Sequence, residues 1–134
     1  MDIRRISKED AWQIRHEVMW PDRELDYVKL PDDGQGIHYG LFVEGRLVSA
    51  VSLFVEQDTA QFRKFATLEQ EQGKGYGSKL LSHVMNEARA QGIGRIWCNA
   101  RQSKAGFYAK FGLKETDQRF AKGGIEYVIM ETST

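Results

Sequence analysis

The segment from Ala60 to Ala100 constrains the fold of this 134-residue chain more than any other. A strand-like run from Ala60 to Leu68 leads into Gln72-Gly73-Lys74-Gly75-Tyr76-Gly77. Behind that loop Gly77, Leu80, Leu81, Val84, Met85 and Ala88 recur at intervals of three and four, the pattern of an amphipathic helix. Gly92 and Gly94 end the helix, and Arg95 to Ala100 reads as a second strand. A strand, helix, strand unit of this length makes a right-handed crossover, so its two strands run parallel and side by side. The glycine loop then sits at a helix start, where backbone N–H groups lack intrahelical partners and the peptide dipoles converge. Phosphates bind such ends readily. Glycines at 73, 75 and 77 let a diphosphate approach closely and allow backbone angles closed to other residues.

Two well-known glycine loops fail on spacing. A Walker loop needs Gly-Lys followed by Ser or Thr, whereas Gly75 follows Lys74. A dinucleotide fingerprint needs a third glycine where Ser78 stands and an acidic residue ending the next strand, but that strand reads Arg95-Ile96-Trp97-Cys98-Asn99-Ala100.

The rest of the chain supplies antiparallel partners. Residues 2 to 6 read as a strand, and Ser7 with Asp10 as a helix start ahead of Trp12, Ile14 and Val18, stopped by Pro21. A further helical piece is expected around Arg23 to Leu30. Ile37–Val43 and Arg46–Val55 form a hairpin across Glu44-Gly45. Ser103 is expected to cap a short helix from Lys104 to Phe111, with Gly112 at its end. Leu113 to Phe120 and Ile125 to Thr132 flank the Lys122-Gly123-Gly124 turn.

The glycine loop resembles the pyrophosphate loop of the GNAT superfamily of N-acetyltransferases: Gln72, Gly75 and Gly77 match its Gln or Arg, two residues, Gly, one residue, Gly or Ala. Downstream, Gly106-Phe107-Tyr108-Ala109-Lys110-Phe111-Gly112-Leu113 is similar to that family's second motif, a short helix with a phenol turning into a strand. The resemblance implies a mixed α/β fold, a mostly antiparallel twisted sheet of about seven strands with a central parallel pair splayed apart and about four helices, in one domain over residues 1–134. It implies acetyl-CoA as cosubstrate, with its pyrophosphate on Gln72, Gly73, Lys74, Gly75, Tyr76 and Gly77 and its pantetheine arm on backbone groups of Phe65, Ala66 and Thr67. Tyr108 takes the place of the phenol that protonates departing CoA; on spacing alone it also reads as a core aromatic. Many members carry Asn where Arg101 stands and Ala where Lys104 stands, so those side-chain contacts do not transfer.

The family's base is variable, and the glutamate some members place before the loop has no counterpart among Arg63, Lys64, Phe65, Ala66 and Thr67. His38 and Glu56, on strands beside the cleft, are the candidates. Without a base, the alternative to an enzyme acting on a small-molecule or peptide amine is an acyl-CoA-binding sensor or assembly subunit.

Acidic and basic residues number 19 each, which offers no excess for nucleic acid. The N-terminus has no apolar run behind its charges, so neither a signal peptide nor a membrane span is read there, and a cytoplasmic location is expected. Three scattered histidines and one cysteine give no metal-ligand spacing; Cys98 reads as a small apolar residue in a buried strand. Exposed strand edges permit a homodimer.

Overall fold

Hairpin chemistry lays down the first half of the sheet. The computed structural model describes residues 1–133. Strands β1 (Asp2–Ile6), β2 (Ile37–Val43), β3 (Arg46–Glu56) and β4 (Thr59–Thr67) pair in succession, all antiparallel. The β2–β3 turn has φ of 50° at Glu44 and 79° at Gly45, the positive pair that a two-residue hairpin of type I′ needs. Helix α1 (Lys8–Met19) lies between β1 and β2, with the Ser7 hydroxyl accepting from the Asp10 N–H at 3.0 Å.

From β4 the chain crosses through helix α2 (Tyr76–Ala90) to β5 (Arg95–Arg101), which pairs parallel to β4. Helix α3 (Ala105–Ala109) precedes β6 (Lys114–Lys122) and β7 (Ile125–Ser133), and the seven strands lie in the order β1-β2-β3-β4-β5-β7-β6. Only the β4–β5 pair is parallel, so the expected mixed sheet with a central parallel pair is the architecture found.

The two long helices cover opposite faces. Tyr39 of β2 meets the His83 ring of α2, whereas its neighbour His38 faces the other way, toward the residues of α1 and the segment after it. The α2 stripe is wholly inside the core: Leu80, Leu81 and Val84 have no exposed surface. Burying each is worth about 1.5–3 kcal/mol.

The helical pieces differ from expectation. There are three α-helices and four 3-10 turns among the described residues. The piece expected at 23–30 is only the turn Leu25–Val28, because Pro21 and Pro31 leave too few residues for an α-helix to nucleate. Ser103 does not cap: it lies inside the turn Gln102–Lys104, and Lys104 precedes α3 with no side-chain cap bond.

Candidate functional site

Pairing between β4 and β5 stops early. Thr59, Ala60 and Gln61 face Arg95, Ile96 and Trp97, and nothing beyond them is bridged. On its other edge β4 stays tied to β3 as far as Ser49↔Thr67, and β5 stays tied to β7 as far as Arg101↔Tyr127. The two strands therefore part while each is held by its outer neighbour. Phe65, Ala66 and Thr67 lie in that opening, where the β5-facing edge of β4 has backbone polar groups without a strand partner.

Ser49 fixes the end of β4. Fully buried, its hydroxyl donates to the Ala66 carbonyl at 3.2 Å and lies 2.9 Å from the Thr67 hydroxyl. The Leu68 N–H donates to the Val48 carbonyl, and the Gln72 amide reaches back to the Thr67 carbonyl at 3.0 Å. Gln72 thus latches the loop to the strand.

Gly73 and Gly75 have φ of 81° and 85°, angles that cost other residues strain, and Gly75 is the residue before α2. A different reason holds at Gly77, where a Cβ would come within 3.1 Å of the Phe65 ring and 3.2 Å of the Thr67 hydroxyl. Glycine there lets α2 start against the end of β4. No side chain caps α2 and no acidic residue lies in its first turn. The N–H groups of Tyr76, Gly77 and Ser78 precede the first intrahelical bond, from the Lys79 N–H to the Gly75 carbonyl. This donor set fits a diphosphate. Lys74 turns aside to Glu71, at 2.9 Å.

Tyr108, on α3, lies against β4. Its ring packs against Phe62 of β4 with centroids 5.8 Å apart, and Phe107 beside it stacks on Phe65 at 6.2 Å. Burial first, then nearby Cys98, pushes the phenol up to about 12, although Arg101 pulls the other way. Its hydroxyl has no hydrogen-bond partner among the described residues. Cys98 is itself buried, which pushes its thiol up to about 12 and leaves it inert as a nucleophile.

The structure gives the two candidate bases other positions. His38 is buried and uses both ring nitrogens: Nε2 donates to the Asp33 carbonyl at 2.9 Å, so Nδ1 must accept from the Ser52 hydroxyl at 2.7 Å. Ser52 can donate because it accepts from Arg15. No lone pair of His38 is left to take a substrate proton. Glu56 is exposed at the β3–β4 hairpin, opposite Thr59, at the closed end of the splay. It borders a groove of about 600 Å³ lined also by Phe54, Gln61, Arg63 and Trp97, the last two β4–β5 bridge residues Gln61 and Trp97 among them.

Sequence reasoning missed the network behind His38. Arg15, 1% exposed, makes a bidentate pair with Asp33 at 2.8 and 2.9 Å, and Asp33 also accepts from the Trp12 indole and the Leu30 N–H. Burial alone would raise the Asp33 carboxyl; the hydrogen bonds from Arg15, Leu30 and Trp12, with the Arg15 charge, outweigh it and hold it at about 2. The available signal was Ser49 and Ser52 inside the apolar run of β3.

Residues 6–134 match the family model described as "Acetyltransferase (GNAT) domain". An uncharacterized N-acetyltransferase, YitI of Bacillus subtilis (strain 168), is 33% identical over 140 residues, which cover 97% of this chain and 94% of that protein. Among solved structures, a putative N-acetyltransferase from Lactobacillus plantarum superposes with a TM-score of 0.84 at 19% identity, covering 99% of each chain. A GNAT family acetyltransferase from Elizabethkingia anophelis with acetyl-CoA bound gives a TM-score of 0.76 at 17% identity, over 99% of this chain and 97% of that one.

Proposed function

The chain belongs to the GNAT family of N-acetyltransferases, and on that premise we propose that it transfers the acetyl group of acetyl-CoA directly to a primary amine. Acetyl-CoA supplies a thioester carbonyl to which the amine adds, with CoA leaving as a thiolate. The observation that carries the reading is the combined opening: unpaired β4 backbone at residues 65–67, an uncapped helix start at residues 76–78, and one phenol, Tyr108, packed on Phe62 of β4.

In this reading the first-turn amides of α2 hold the diphosphate, and Gly73 and Gly75 let it approach. Backbone groups of Phe65, Ala66 and Thr67 hold the pantetheine arm, and a β4 N–H near Thr67 stabilises the oxyanion. Tyr108 keeps its proton at every working pH, because its pKa lies near 12. It acts by donating a hydrogen bond to sulfur as negative charge builds there. Its acidity is low beside a thiol of ordinary pKa about 8.5, so its effect belongs near the lower end of the range for general acids, about 10²-fold. No base is assigned, since His38 is committed to Ser52 and Asp33 and Glu56 lies at the far hairpin. The acceptor ammonium gives one proton to solvent before attack, and the second leaves the nitrogen of the tetrahedral intermediate for solvent as the C–S bond breaks and the thiolate departs.

Thiol release from acetyl-CoA, followed across a panel of primary amines, tests this. Amine-dependent release is expected. Tight acetyl-CoA binding with no release for any amine would favour a sensor or assembly subunit.

A further inference from the structure

Among the described residues three non-glycine residues have positive φ. Glu44 and Gln57 are in hairpin turns, but Lys64, at 57°, is inside β4. Ser52 pairs with Arg63 and Ala50 with Ala66, so Lys64 and Phe65 together oppose Val51 alone. That is a β-bulge, which re-aims side chains. Phe65 turns to Phe107, on the side of Gly77 and α2. Lys64 turns to the other face, where the charged groups around it are Arg15 of α1, Lys122 at the end of β6, Arg63 and Asp33. Backbone strain of this kind is retained where the surroundings enforce it, often at functional sites.

Lys64 is a half-buried residue whose ammonium reaches solvent and has no hydrogen bond or ion pair among the described residues. Its neighbours cannot supply one. Asp33 is taken by Arg15 at 2.8 Å, and Asp32 by Arg63 at 3.1 Å. Burial first, then the charges of Arg15, Lys122 and Arg63, lowers the Lys64 pKa, with Asp33 pulling the other way. Independently, the Nε–H of buried Arg15 has no acceptor. Both observations describe a place with more donors than acceptors, which an anion reaching the Lys64 ammonium would complement.

The position is also informative. Lys64 lies just past the last β4–β5 bridge, Gln61↔Trp97, on the face opposite the glycine loop, and the groove along that face reaches its neighbour Arg63. We propose that Lys64, backed by Lys122, binds an anionic group of the acceptor, a carboxylate or a phosphate, so that the acceptors are amines bearing one. The identity of the occupant rests on the acetyl-transfer reading; the anion site itself does not.

Trace labelling of lysines with acetic anhydride, read by peptide mass spectrometry, tests the site without turnover. The probes are O-phosphoethanolamine against ethanolamine, and 4-aminobutyrate against 4-aminobutyramide. Labelling of Lys64 should fall severalfold with at least one anionic probe and with neither neutral one; which probe protects tells phosphate from carboxylate. Equal labelling with all four overturns the proposal, even if the enzyme is active. In kinetics, wild type should prefer the protecting probe at least tenfold in kcat/KM over its neutral partner. Lys64→Met should erase that preference through KM, leaving the neutral amine and the KM for acetyl-CoA within about threefold. A Lys64→Met variant that keeps the preference, or that loses kcat equally with both amines as a missing base would, refutes the assignment. Failure of wild type to use any amine, with Lys64 still protected, refutes acetyl transfer and leaves the anion site standing.

Discussion

Neutralising Asp33 should cost this protein a large fraction of its stability. Its carboxylate is 2% exposed and accepts from Arg15 twice, from Trp12 and from the Leu30 N–H. A folded-state pKa of about 2 against an ordinary 3.8 favours the ionised form by on the order of 2 kcal/mol. Because the folded pKa is depressed, that stability is fully present above about pH 4–5 and is lost as pH falls through about 2. Asp33→Asn removes it at all pH values and also leaves the Arg15 guanidinium buried without a counter-charge, for which losses of about 3–5 kcal/mol are typical. Urea unfolding at pH 7 should therefore show a loss between about 2 and 5 kcal/mol, with an unchanged m-value. Repeated toward pH 3, the gap between wild type and variant should narrow. A variant within about 0.5 kcal/mol of wild type at pH 7, or a constant gap down to pH 3, would refute this account of the network.

Four further outcomes are expected. Gly75→Val places a β-branched residue at φ 85° and should abolish the acetyl-CoA-induced rise in melting temperature; at one hundred times the dissociation constant the wild-type rise corresponds to about 2.7 kcal/mol, and an equal rise in a folded variant would contradict the loop's role. Tyr108→Phe should lower kcat about 10²-fold while the KM for acetyl-CoA moves little, since the ring still packs on Phe62. Wild-type rate should climb with pH as the amine deprotonates, with no falling limb up to about pH 10, because Tyr108 titrates near 12. Lys64→Gly should be neutral or stabilising by up to about 1 kcal/mol in urea melts, since relief of left-handed strain offsets glycine's extra unfolded-state freedom, even as acceptor recognition is lost.

The parts of the fold legible in the sequence were those written in local spacing. The α2 stripe, the Glu44-Gly45 turn and the strand, loop, helix, strand unit each depend on residues a few positions apart, and the parallel pairing of β4 with β5 follows from chirality. The bulge at Lys64 was not legible, because no glycine marks it; tertiary packing forces a lysine into an angle that its sequence neighbours do not foretell. His38 was misread as a candidate base for a related reason. Its partners Asp33 and Ser52 reach it through folding, and Ser52 is joined to Arg15, 37 positions away. Ser103 looked like a cap, but the chain spends it inside a 3-10 turn before α3 begins. Residue 134 lies outside the described residues.

On the proposed reading, an acetyl group passes from CoA to an amine in the opening between β4 and β5. The most direct measurement incubates the protein with acetyl-CoA labelled isotopically in its acetyl group and a mixture of primary amines, anionic and neutral, and follows the label by mass spectrometry. The account predicts labelled N-acetyl product in step with free thiol, slowed about 10²-fold by Tyr108→Phe. Thiol release that leaves the label only in free acetate, or product formed equally fast by Tyr108→Phe, would contradict it.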